Sequence, residues 1–146
     1  MRKFLSSRYL LFVSRFIVGI VFVVASVDKI AFPELFAVNV QAYGIVPLYL
    51  VNIVALILPW LELTTGLFLI AGVYVRSSSV IISFALGIFI VSIIVALFRG
   101  LKIDCGCFGH AHNTPIGWWR VCEDILLVLL NVHIYYCDPQ EDKIRK

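Results

Sequence analysis

Charge is scarce in this chain. Asp, Glu, Lys and Arg make up 14% of its 146 residues, where a soluble domain carries about a quarter. The hydrophobic share is 62%, too much for the interior of a domain this small, which leaves a large part of its surface uncovered. Lipid is the solvent that suits such a composition. Cysteine is also sparse. Cys105, Cys107, Cys122 and Cys137 are too few to staple a disulfide scaffold. A net charge of +3 gives no basic surface of the kind nucleic acid demands. With no repeat and no low-complexity segment, residues 1–146 are expected to form a single membrane domain.

The apolar residues come in four blocks, at about 9–27, 46–75, 80–98 and 115–136. Crossing a bilayer takes about 20 apolar residues as a helix. Strands would need alternating, shorter segments, and these blocks are continuous. The first block follows Arg2, Lys3 and Arg8 as a signal peptide would, but it is as long as a full span and no small-x-small site follows it. The expected fold is therefore all-α, an integral membrane four-helix bundle. Between the first two spans, residues 33–43 mix Leu35, Phe36 and Val40 with Glu34, Asn39 and Gln41, which predicts a short interfacial segment. Pro59 predicts a kink in the second span. Thr114-Pro115 reads as a helix start, and Trp118-Trp119 as an interfacial belt.

Four spans place both termini on one side. That side holds Arg2, Lys3, Arg8, Arg76, Lys143, Arg145 and Lys146; the other holds Lys29, Arg99, Lys102 and Arg120. Seven against four predicts cytoplasmic termini and a periplasmic or extracellular segment between the third and fourth spans, in the inner membrane.

Arg15 and Glu62 lie inside apolar blocks, where a charge is costly and turns inward to a partner. We expect them to pair. The pair reads either as a lock on helix register or as part of a proton or quinone site. Glu123 and Asp124, near the outer end of the fourth span, are expected to answer Arg120 or Lys29.

The most informative stretch is Asp104-Cys105-Gly106-Cys107-Phe108-Gly109. A disulfide across one residue closes a strained ring, and strain suits it to exchange rather than to stapling. Gly106 relieves the backbone. The motif precedes the fourth helix, whose N-terminal dipole favours a thiolate. His110, if protonated, acts the same way, and Asp104 opposes it or accepts a proton. A second reading is metal binding: Cys105, Cys107, His110 and His112 spell C-x-C-x-x-H-x-H, a donor set suited to zinc or copper. A third is that these side chains are simply solvated. Cys122 is either a resolving thiol or a small apolar residue. Cys137 lies at the opposite end of its helix and cannot reach the loop.

These residues together resemble the MauE family of methylamine-utilisation membrane proteins, within the wider DoxX-like group. The resemblance runs from Arg15-Phe16 and Gly19, past Lys29, Tyr43 and Pro47, through Leu58-Pro59, Glu62 and Gly66, to the Asp104–Gly109 motif. It implies a four-helix inner-membrane protein. The resemblance also implies an association with maturation of the disulfide-rich small subunit of methylamine dehydrogenase, alongside a thioredoxin-like partner. Carried over, Cys105 and Cys107 are the redox pair, supported by Asp104, Gly106, Phe108 and Gly109. Arg15, Lys29 and Glu62 are the membrane-embedded polar positions. The leading expectation is a membrane thiol-disulfide protein serving a thioredoxin-like or cysteine-rich periplasmic partner, with quinone as the electron carrier. The alternatives are a metal-binding transporter or chaperone, and a non-catalytic assembly subunit.

Overall fold

The computed structural model describes residues 8–100 and 117–137. Among them are five helices and no strand: α1 (Arg8–Ala31), α2 (Pro33–Tyr43), α3 (Leu48–Ala71), α4 (Val75–Phe98) and α5 (Trp118–Cys137). Three of these, Tyr9–Ala31, Leu48–Ala71 and Val75–Phe98, are long and apolar enough to cross a membrane. At 20 residues, α5 is about 30 Å long, the thickness of a bilayer core. It is less apolar because several polar residues turn inward, among them Asn131, which is fully buried. Outward-facing positions along the bundle are instead large and apolar: Phe12, Leu56, Trp60, Phe84, Leu126 and Leu129 are all exposed. This is the inverse of a soluble bundle and fits a lipid surround.

α1 runs to Ala31, beyond the block read from hydropathy, because Ala25, Ser26 and Lys29 face the interior and packing carries the helix on. α3 stops at Ala71, before the expected limit of its block. It ends in a Schellman arrangement: Val73 N–H donates to Phe68 O at 3.0 Å and Gly72 N–H to Leu69 O at 3.3 Å. Gly72 takes φ +75° there, the left-handed region open to glycine. Pro59 lies inside α3, which runs through it unbroken. The predicted interfacial segment is α2, opened by Pro33 and closed by Gly44 at φ +64°. It packs on α3, with lighter contact to α1 and α4. Phe36 is its buried residue.

α1 and α3 form the most extensive helix pair. They are antiparallel: Arg15 lies beside Leu69, Gly19 beside Gly66, and Lys29 beside Glu62. The crossing is tight. A Cβ on Gly66 would sit 3.1 Å from Gly19 O and 3.2 Å from Phe22 Cβ. Small residues at a membrane helix crossing let backbones approach and gain van der Waals contact, which must replace the hydrophobic effect inside lipid. α4 and α5 pair along the other side. The Asn131 side-chain amide donates to Ser79 O at 2.7 Å and to Ser83 Oγ at 2.8 Å. The central core joins Val18, Phe22, Leu69, Ile82, Leu86 and Ile134.

Candidate functional site: a buried charge cluster

The chain leaves the described bundle at Gly100 and re-enters at Gly117. Asp104, Cys105, Gly106, Cys107, Phe108, Gly109, His110 and His112 lie outside the described residues, and a buried charge cluster lies at the end of the bundle that holds Gly100 and Gly117. There the ends of α1 and α4 meet the start of α5.

Lys29 sits near the end of α1 and Glu62 in the middle of α3. Both are buried, at 4% and 1% exposure. The Lys29 ammonium donates to both carboxylate oxygens of Glu62, at 2.8 Å to Oε1 and 2.7 Å to Oε2. Its other sides face aromatic rings, with Nζ 5.1 Å from the centroid of Phe36 on α2 and 4.7 Å from that of Phe89 on α4. One carboxylate and two ring faces thus replace water around the ammonium. Four helices converge on one nitrogen. Around the pair, the Thr65 hydroxyl donates to Leu61 O at 2.7 Å and the Ser26 hydroxyl to Val23 O at 2.7 Å. Those hydroxyls are satisfied within their own helices.

Against the ion pair lies a cavity of about 40 Å³, lined by Phe22, Ala25, Lys29, Glu62, Phe89 and Asp124 among others. Asp124 comes from α5, so a fifth element reaches the site. Its Oδ2 is buried and makes no hydrogen bond among the described residues. Its neighbour Glu123 is engaged elsewhere, accepting from Arg120 Nη1 at 2.8 Å and from Trp119 Nε1 at 2.8 Å. A water needs about 10–15 Å³ of such volume, so the cavity has room for two or three. An aromatic ring of benzene's size occupies a cavity of about 150 Å³. The cavity at Lys29 and Glu62 is therefore too small to enclose a quinone ring in this arrangement.

The expected pairing of Arg15 with Glu62 is corrected by this geometry. Glu62 is taken by Lys29, and Arg15 Nε donates to Leu69 O at 3.3 Å. The reason is register. Arg15 lies level with Leu69 and Gly72, seven to ten residues along α3 from Glu62, or about 10–15 Å at 1.5 Å per residue. Its guanidinium rests against Gly72 at the C-terminus of α3, where a cation meets the negative end of the helix dipole. Arg99 repeats the device. Its Nη1 donates to Tyr43 O at 3.3 Å, at the C-terminus of α2 and beside Gly44. Of the expected partners for the acids of α5, Arg120 pairs with Glu123, while Asp124 shares the cavity with Lys29. Both lie among the partners expected from the sequence, but the cavity that Asp124 shares with Lys29 and Glu62 was not expected. The available signal was a carboxylate three positions after buried Val121, on the inward side of an amphipathic helix. Cys122 is exposed and free. Cys137 Sγ lies 3.7 Å from His133 Nδ1.

An all-helical bundle with apolar flanks and an ion pair buried between its helices defines a small integral membrane protein. The family model described as "Methylamine utilisation protein MauE" matches residues 7–136, and the chain belongs to that family. It is 27% identical over 135 residues to the methylamine utilization protein MauE of Paracoccus denitrificans, covering 92% of this chain and 73% of that protein. It is 29% identical over 106 residues to the protein of the same name from Methylorubrum extorquens, covering 72% of this chain and 57% of the relative. No solved structure matches.

Proposed function

We propose that this protein is an inner-membrane thiol-disulfide carrier of the MauE type, acting in the maturation of a cysteine-rich periplasmic protein. The observation that carries the reading is Cys105-Gly106-Cys107 in a MauE-family chain, within the segment that joins α4 to α5. In the exchange, a thiolate of the partner attacks the Cys105–Cys107 disulfide, forms a mixed disulfide and releases one thiolate. The partner's second thiolate then closes its own disulfide, and Cys105 and Cys107 are left as two thiols. Two electrons and two hydrogens pass from partner to chain. Asp104, Gly106, Phe108 and Gly109 complete the family's motif and are proposed to support the pair. Arg15 caps α3, while Lys29 and Glu62 hold the scaffold from which the segment leaves. The names of the relatives support a role in methylamine utilisation, and disulfide exchange at the pair suits a thioredoxin-like neighbour. The basic residues support cytoplasmic termini and a periplasmic Cys-Gly-Cys segment.

The test is a thiol count on the purified protein by alkylation and intact mass, before and after mild reductant. The expected result is two cysteines released together and mapped to Cys105 and Cys107, with Cys105→Ser and Cys107→Ser each abolishing partner oxidation in cells. Four free thiols with stoichiometric zinc or copper, lost in His110→Ala and His112→Ala, would replace this reading with the metal one. Unchanged partner oxidation in the serine variants would leave an assembly subunit.

A further inference from the structure

We infer that the cavity between α1, α3 and α5 is a proton-binding site, with Asp124 as the group that takes up and releases the proton. This rests on the bundle geometry alone and stands or falls separately from the dithiol chemistry. Among the described residues, three ionisable side chains line the cavity: Lys29, Glu62 and Asp124. Their charges do not cancel. One ammonium faces two carboxyl groups, so the site is neutral only when it holds one additional proton. An uncompensated charge in such surroundings is costly.

Geometry points to where that proton goes. Both oxygens of Glu62 are already bonded to Lys29, and the remaining sides of the ammonium are covered by Phe36 and Phe89. Asp124 Oδ2 is the buried oxygen at the cavity without a hydrogen-bond partner among the described residues. As a carboxylic acid it becomes a donor and can serve a cavity water. The charged groups acting on it are Glu123 and Arg120 on its own helix and Lys29 on α1. Glu62 faces the same cavity from α3, and α4 contributes only Leu86 and Phe89 to its lining. Exchange needs a route outward, and α5 supplies one. Asp124 is six residues from Trp118, about 9 Å along the helix. The turn between them carries Arg120 and the partly exposed Glu123. The step is simple: a carboxylate and a hydronium ion of the cavity water give a carboxylic acid and a water, with no electron moved.

The experiment is infrared spectroscopy of the full chain in lipid nanodiscs during a pH titration, read at the carbonyl stretch of a protonated carboxyl group. The expected result is one such band whose intensity titrates with pH. It is lost in Asp124→Asn, shifted in frequency but present in Asp124→Glu, and weakened in Glu62→Gln, where the freed Lys29 ammonium pairs with the Asp124 carboxylate. Helical circular dichroism confirms that each variant is folded, and the conservative Asp124→Glu keeps the test open if Asp124→Asn does not fold. A band that survives unchanged in Asp124→Asn, or no titrating band in the native protein, overturns the inference.

Discussion

Removing the charge of Glu62 should be among the most damaging single changes available in the bundle. In Glu62→Gln the Lys29 ammonium keeps its two aromatic neighbours but loses the anion that accepts its hydrogen bonds at 2.7 and 2.8 Å, and Asp124 across the cavity replaces that anion only in part. Breaking a buried pair from one side costs about 3–5 kcal/mol, against about 0.2–1 kcal/mol for an exposed pair. With Lys29 and Glu62 at 4% and 1% exposure, the larger range applies. It corresponds to roughly two to four powers of ten in the folding equilibrium. Lys29→Met should cost a similar amount. The double change Lys29→Met with Glu62→Leu should recover most of the loss, because apolar residues of matching volume replace a buried pair at little cost. The assay is reversible unfolding in mixed micelles, followed by the fluorescence of Trp60, Trp118 and Trp119. A double-mutant cycle then extracts the coupling. A coupling of about 3 kcal/mol or more is expected between Lys29 and Glu62, and none between Arg15 and Glu62. A Lys29–Glu62 coupling below about 1 kcal/mol, or a larger one for Arg15–Glu62, would refute the argument from register.

Gly66→Ala should destabilise the same helix pair by about 1–3 kcal/mol, since its Cβ meets the backbone of Gly19 at 3.1 Å and neither helix can yield alone; unfolding midpoints in the same micelles would show it, and an unchanged midpoint would mean that α1 and α3 cross less tightly. Gly72→Ala should cost about 1–2 kcal/mol from its left-handed φ alone. It also collides with the Arg15 guanidinium. Pairing it with Arg15→Ala should relieve the collision but not the backbone strain, so the double variant recovers only part of the loss.

Much of the bundle was legible in the sequence because lipid imposes a simple rule. Every backbone polar group must be satisfied within its own segment, so a long apolar run can only be a helix. The short interfacial helix was legible from Pro33 and its mixed polarity. Arg15 and Glu62 were legible as costly residues demanding a partner. The partner's identity was not. Arg15 and Lys29 are both basic, both on α1, and separated by 14 positions. Only the offset between α1 and α3 chooses between them, and that offset is set by the Gly19–Gly66 contact and the close of α3 at Gly72. Which acid of α5 meets Lys29 was undecided for the same reason: the place of Asp124 at the cavity depends on the rotation of α5 about its axis, which its packing on α1 and α4 fixes.

Composition and run length alone determined that the chain lives in lipid as helices, and the Cys-Gly-Cys motif with its flanking residues already marked the family. The tertiary structure decided which charges meet. Hydropathy records how much polarity a segment carries, whereas the pairing of Lys29 with Glu62 and the nearness of Asp124 depend on register and rotation between helices far apart in sequence. Those are fixed by side-chain volume at the crossings, a property of two segments together and of neither one by itself.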